Sequence, residues 1–241
     1  MKKTIKKIFL SNPEIDEVPA QAVVRKRIEN IQSIWHNKHH NDVGIEKVVR
    51  LFLAASQFLF PGLYIKHFIG KFGISYEEIA TDIFVLLKVI FPVVVLKFGL
   101  QHIFILKFLV VWFLIETMLY LTTLVFASDI FTRPRSYRRS MLLMFLNYLQ
   151  IVFSFGIVYS LGNHLNKAFE SWYDPIYFSL ITSTTVGYGD YYPISGYGKL
   201  LASTQIIIFF VVVVMFLNFF STNIEQKGYF DHDSENNKKQ L

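Results

Sequence analysis

Two stretches of this chain, Met141 to Asn166 and Leu200 to Asn223, contain no Lys, Arg, Asp or Glu. Each exceeds the roughly 20 residues that carry a helix across about 30 Å of hydrocarbon. A chain with such runs folds in lipid. The composition agrees, with 53% hydrophobic and only 17% charged residues over 241 positions, because a soluble domain needs charge spread along its length to cover its surface. Cysteine is absent, which excludes a disulfide framework, a thiolate metal site and a cysteine nucleophile.

Five apolar segments can be marked: Leu51 to Ile65, Ile79 to Leu96, Ile103 to Ala127, Met141 to Leu161 and Leu200 to Phe220. The net charge of +6 is concentrated outside them. Arg133, Arg135, Arg138 and Arg139 stand in a short loop before Met141 and set that loop on the cytoplasmic side. Alternating crossings then place both termini inside the cell. That parity leaves four spans, with Leu51 to Ile65, broken by Pro61-Gly62, as an interfacial or re-entrant helix; a fifth span with an external N-terminus is the rival topology. The expected organisation is a polar cytoplasmic tail (1–47), the interfacial or re-entrant helix (48–78), a two-helix membrane region (79–127), a basic loop (128–140), a pore unit (141–223) and a short cytoplasmic tail (224–241). Too little apolar sequence follows the basic start for a signal peptide. Arg25 to Arg27 and His36, His39 and His40 are expected to be exposed in the first tail, the histidines as solvated residues and not as a metal site.

Between the last two spans, residues 162–199 are too rich in Gly, Pro and polar residues to cross lipid alone, yet they contain the partly apolar piece Pro175 to Thr185. A half-length helix with irregular backbone beside it is tolerated at membrane depth only within protein or around a water-filled cavity, so this segment should be re-entrant. Asp174-Pro175 supplies a capping acceptor and a first-turn proline, predicting a short helix from there to Thr184 or Thr185. Thr185-Val-Gly-Tyr-Gly-Asp190 follows. A dehydrated cation needs protein oxygens in place of its water. Carbonyls of Thr185, Val186, Gly187 and Tyr188, with the Thr185 hydroxyl below them, would supply stacked rings if several chains met at an axis. Aiming successive carbonyls one way requires φ alternating in sign, which Gly187 and Gly189 adopt at little cost. The C-terminal end of the short helix would present partial negative charge to the cation. Asp190 and Asp174 would make the outer mouth negative.

On these residues the stretch from Met141 to about Asn223 resembles the pore domain of tetrameric potassium channels: outer helix, pore helix, Thr-Val-Gly-Tyr-Gly filter, inner helix. The resemblance implies an all-α membrane protein. It further implies a homotetramer in the cell membrane with K+ as the permeant ion at Thr185 to Gly189, and neither a cofactor nor catalysis. It also places Phe210, Val213, Leu217 and Asn218 on the conduction path, with Thr184 at the filter's base. Three departures stand out. Ile181 replaces the glutamate that some members carry behind the filter. Phe178 beside Tyr177 stands where an aromatic donor pairs with the filter aspartate. Residues 199–227 contain no glycine, so the usual inner-helix hinge is missing, and Phe209 occupies its commonest position.

The four loop arginines lack the every-third-residue spacing of a voltage sensor. Lys88 and Glu116, charges within the upstream spans, are a candidate pair on facing helices; snorkelling is the competing reading for Lys88. Alternative functions are a subunit whose upstream region docks a regulatory membrane protein, and a weakly selective cation channel. Four-repeat potassium transporters differ in carrying degenerate filters. The basic start is mixed with acids and suits anionic membrane lipid, not nucleic acid. The tail after Asn223 is too short for a nucleotide- or calcium-binding domain.

Overall fold

The computed structural model describes residues 23–37, 43–70, 74–126 and 137–223, and these form helices with no strands. In chain order they are α1 (Val23–Trp35), α2 (Ile45–Ser56), α3 (Pro61–Ile69), α4 (Ile74–Lys97), α5 (Phe104–Phe126), α6 (Tyr137–Ser160), α7 (Asp174–Ser183) and α8 (Gly196–Asn223). Four of them, α4, α5, α6 and α8, are long and apolar enough to span a membrane. α2 and α3 meet at 63°. The bend follows from Pro61 at the start of α3, which holds Phe60 in extended backbone at φ −111°, ψ 138°.

α1 departs from the polar tail expected over residues 1–47. Ile34 and Ala54 bury together, with Ile31 and Leu51 against them, so the segment folds onto α2 through one apolar face. Arg25 is exposed and bonded to Glu29 at 3.0 Å, while Arg27 is only partly exposed, contrary to expectation. His36 is exposed; His39, His40, Arg133, Arg135 and residues 224–241 lie outside the described residues.

α6 is the central element and packs most extensively against α4 and α7. One apolar cluster joins α5, α6, α7 and α8 through Leu121, Ile151, Phe155, Tyr159, Phe178 and Val212. A second joins α4 and α5 to the top of α6 and the start of α7 through Val95, Val110, Ile157 and Ile176. Close approach is possible because α6 carries Gly156 opposite the start of α7: a Cβ there would lie 3.1 Å from the Pro175 carbonyl oxygen.

Charge locks the upstream helices to this frame. Arg139, expected as a positive-inside anchor, folds its guanidinium onto α4: Nη2 donates to Asp82 Oδ1 at 2.6 Å and to the Glu78 carbonyl at 2.8 Å. Deeper in the bundle, Lys88 Nζ donates to Glu116 Oε2 at 3.3 Å, with both side chains buried. Lys88 therefore pairs and does not snorkel. Removing one member leaves an uncompensated charge, whereas removing both leaves apolar contact. We expect Lys88→Met to destabilise the protein by about 3–5 kcal/mol. The Lys88→Met, Glu116→Leu double variant should recover most of that loss in thermal unfolding of the purified protein, and a double variant no better than the single would refute this.

Candidate functional site

α7 ends in a specific cap. Val186 N–H donates to the Ile181 carbonyl at 2.9 Å and Thr185 N–H to the Thr182 carbonyl at 3.1 Å, the six-to-one and five-to-two bonds of a Schellman motif. The residue that must turn left-handed in this motif is usually glycine. Here it is Thr185, at φ +60°. A β-branched residue in that region is a backbone outlier, and its position at the first residue of the Thr-Val-Gly-Tyr-Gly string points to a use for its hydroxyl. Gly187 and Gly189 follow at φ +52° and +82°, so positive φ recurs at every second residue from 185 to 189. That is the alternation the sequence requires of a carbonyl-lined filter. Gly187 N–H also donates to the Ile181 carbonyl, at 3.2 Å, tying the strand to the end of α7.

Residues 184–190 are all exposed on the single chain, Tyr188 at 74%. Their backing is buried. Tyr191, directly after Asp190, sits among the rings of Phe169 (5.2 Å), Phe178 (6.3 Å) and Tyr177 (6.5 Å), with Lys167 Nζ 4.4 Å from its centroid. Asn166 staples the strand beyond the filter: its side-chain amide donates to the Asp190 carbonyl at 3.2 Å and its oxygen accepts the Tyr192 N–H at 2.9 Å. Ser195 then caps α8 by accepting the Gly198 N–H at 2.9 Å.

Asp174 differs from expectation. It is the first helical residue of α7, Tyr173 holds the cap position, and Pro175 is second. Its carboxylate accepts the N–H groups of Glu170 (2.8 Å) and Ser171 (2.9 Å), the Ser171 hydroxyl (2.8 Å) and the Tyr191 hydroxyl (3.0 Å). The loop before α7 is thereby gathered onto the strand after the filter. Partial desolvation opposes ionisation of Asp174, yet the bonds from Ser171, Glu170 and Tyr191 outweigh it and hold the carboxyl below its ordinary value. Desolvation first, then the bond to Asp174, pushes the Tyr191 phenol up to about 12. The depressed carboxyl contributes stability present above its unfolded value near 4 and lost as pH falls through its native value. The raised phenol contributes stability present below about 10 and lost as pH rises through about 12. The melting temperature of Tyr191→Phe should therefore fall below wild type by a constant amount between about pH 5 and 9. The gap should close at either extreme, and a gap that grows into acid would contradict this assignment.

The two aromatic residues at 177 and 178 point different ways. Phe178 is buried against Tyr159, ring centroids 4.7 Å apart, while Tyr177 neighbours Asp190: desolvation, then the Asp190 carboxylate, raises its phenol above the ordinary tyrosine value.

On α8, Phe210 and Leu217 are exposed at 57% and 62% and Val213 is partly exposed. Their spacing of three and four residues puts them on one helix face. Asn218 lies in α8, but its side chain is outside the described residues. α8 is much less buried within the single chain than α6.

Sequence reasoning missed the polar groups behind this segment. Gln205, Ser179 and Tyr159 are at most 1% exposed and hydrogen-bonded to one another. Tyr148 donates to Ser183 Oγ at 3.1 Å while its ring lies 6.0 Å from Phe209. The available signal was a glutamine inside a charge-free span, since buried polar residues at membrane depth default to a functional role.

Residues 141–226 match the family described as Ion channel. The chain is 30% identical over 112 residues to potassium voltage-gated channel subfamily A member 6 of Mus musculus, covering 42% of this chain and 21% of that one, and equally so to its Rattus norvegicus counterpart. It is 43% identical over 67 residues to potassium channel K1 of Plasmodium berghei (strain Anka), covering 27% of this chain and 4% of that one. The chain thus spans about a fifth of the length of the rodent relatives. No solved structure matches. Residues 141–226 thus match an ion-channel family and are similar to segments of potassium channels, within a chain that has four helices long and apolar enough to span a membrane.

Proposed function

We propose that four copies of this chain surround one axis in the cell membrane and pass K+ down its gradient, without catalysis, in preference to Na+. Carbonyls of Thr185, Val186, Gly187, Tyr188 and Gly189 replace the ion's water, Thr184 and the Thr185 hydroxyl stand at the inner end, and Asp190 charges the outer mouth. Asp174 contributes by organising that mouth, since its lone pairs are already engaged. Both termini are cytoplasmic.

The observation that carries this reading is the filter strand itself: φ is positive at 185, 187 and 189, in a segment packed on its back and bare on its front. A bare front on an apolar, largely unburied α8 is what a protomer presents before its neighbours cover it. The test is flux from purified protein in liposomes, with assembled mass measured in parallel. A tetramer passing K+ at least tenfold faster than Na+ is expected; equal rates would overturn the reading.

The opening of this pore should depend weakly on voltage. Arg139 is held between helices by Asp82, and the buried Lys88 within α4 is neutralised by Glu116. A gating charge of several elementary charges per channel in patch recordings would contradict this.

A further inference from the structure

The Gln205 amide is hydrogen-bonded at both its oxygen and its nitrogen inside the bundle. It is 1% exposed, on a helix whose other described contacts are largely apolar. Its oxygen accepts the Tyr159 hydroxyl of α6 at 2.8 Å. Its nitrogen donates to the Ser179 carbonyl at 3.0 Å and to Ser179 Oγ at 2.7 Å, both on α7. Ser179 Oγ in turn donates to the Val152 carbonyl of α6 at 2.6 Å. Chemistry fixes the order of this chain. A backbone carbonyl only accepts, so Ser179 Oγ spends its one proton on Val152 and must receive from Gln205; the amide nitrogen therefore faces α7 and the oxygen faces Tyr159. The bonds start on α6, pass through α8 and α7, and return to α6.

One turn further along both helices a second contact repeats the arrangement. Ser183 on α7 accepts the Tyr148 hydroxyl, and the Tyr148 ring lies against Phe209 on α8. Ser179 and Ser183 are the two turns of α7 that precede the left-handed residue Thr185, so the rod that ends in the filter is held from behind at both. α8 has no internal glycine or proline between Lys199 and Asn223 at which to bend. A tilt of α8 is therefore not absorbed before Gln205 and loads the bonds to Ser179 directly.

We infer that Gln205 is a positioning residue for the filter: it couples the inner helix to the pore helix, so that the arrangement of α8 sets the geometry at Thr185 to Gly189. The inference rests on the channel reading above. Neither Gln205 nor Tyr159 touches the ion.

The test compares wild type, Gln205→Leu, Tyr159→Phe and the double variant in liposomes, reading the ratio of Na+ to K+ permeability alongside tetramer yield and melting temperature. Wild-type selectivity is the control for the channel reading, so a non-selective wild type fails that reading and not this one. With a selective wild type, Gln205→Leu, which removes all three hydrogen bonds of the amide, should raise relative Na+ permeability roughly tenfold. Tyr159→Phe keeps the ring on Phe178 and removes only the hydroxyl, so it provides an arm that folds should Gln205→Leu fail to assemble; it should shift the ratio in the same direction by a smaller factor. If the two residues act in one chain of bonds, the double variant should match Gln205→Leu instead of multiplying the two effects. A lowered melting temperature with an unchanged permeability ratio in the assembled variants, or independent multiplication, would overturn the proposal in favour of a purely structural role.

Discussion

Replacing Gly187 with alanine should yield a protein that still inserts and assembles but no longer prefers K+ to Na+. The expectation is conformational, not steric. A Cβ built at Gly187 meets nothing within 4 Å, so crowding within the chain does not enter. What remains is φ at +52°, a region that costs an L-residue about 1–2 kcal/mol relative to its right-handed alternative. In a tetramer that cost recurs in every chain. A filter strand relaxing at 187 turns one ring of carbonyls away from the axis, and a cation site with missing oxygens ceases to compensate dehydration. Flux assays with K+ and Na+ gradients read this directly, and K+ selectivity equal to wild type would remove Thr185 to Gly189 from the ion path.

The second large effect concerns the inner mouth. Phe210, Val213 and Leu217 share one face of α8. Val211 to Val214 are β-branched, with stiff side chains and no hinge residue among them. A sharp bend has no glycine or proline to form at in this run, and we expect closure by a ring of these side chains that dewets on modest rotation of the helix. Cysteines placed at Val213 and Leu217, in a chain that has none of its own, should react with a cytoplasmic thiol reagent at least tenfold faster in the open than in the closed condition. Equal, rapid modification in both would reject the ring and move the gate to the filter.

Much of this architecture is legible in the residues because charge and glycine are conspicuous in an apolar chain. Charge-free runs mark α6 and α8, Asp174-Pro175 and the glycines bracket α7 and the strand after it, and two isolated charges, Lys88 and Glu116, stand out as a candidate pair. The helix rotations are not legible. α8 is apolar all round, so no periodicity states which face meets α7, and the partnership of Gln205 with Ser179 is invisible until the helices are placed. Asp174 reads as a helix cap from its type and neighbours, but the tertiary bond from Tyr191 and the backward bonds to residues 170 and 171 redirect it. α1 was hidden by composition: its polar residues outnumber its apolar ones, and the few that matter, such as Ile34, declare themselves only against Ala54. At Thr185, propensity argues against a left-handed residue altogether.

Gly156 gives the wall of this bundle a dimension. Because no side chain separates α6 from the Pro175 carbonyl, the spacing there is set by backbone atoms alone, the one spacer in a protein that has no rotamers and does not soften with temperature. α7 is a ten-residue rod about 15 Å long, so a displacement of a few tenths of an ångström where it starts arrives undiminished where Thr185 begins. The α7-facing side of α6 thus works as a gauge block: its thickness at a single residue sets the tolerance to which the far end of α7 can be machined.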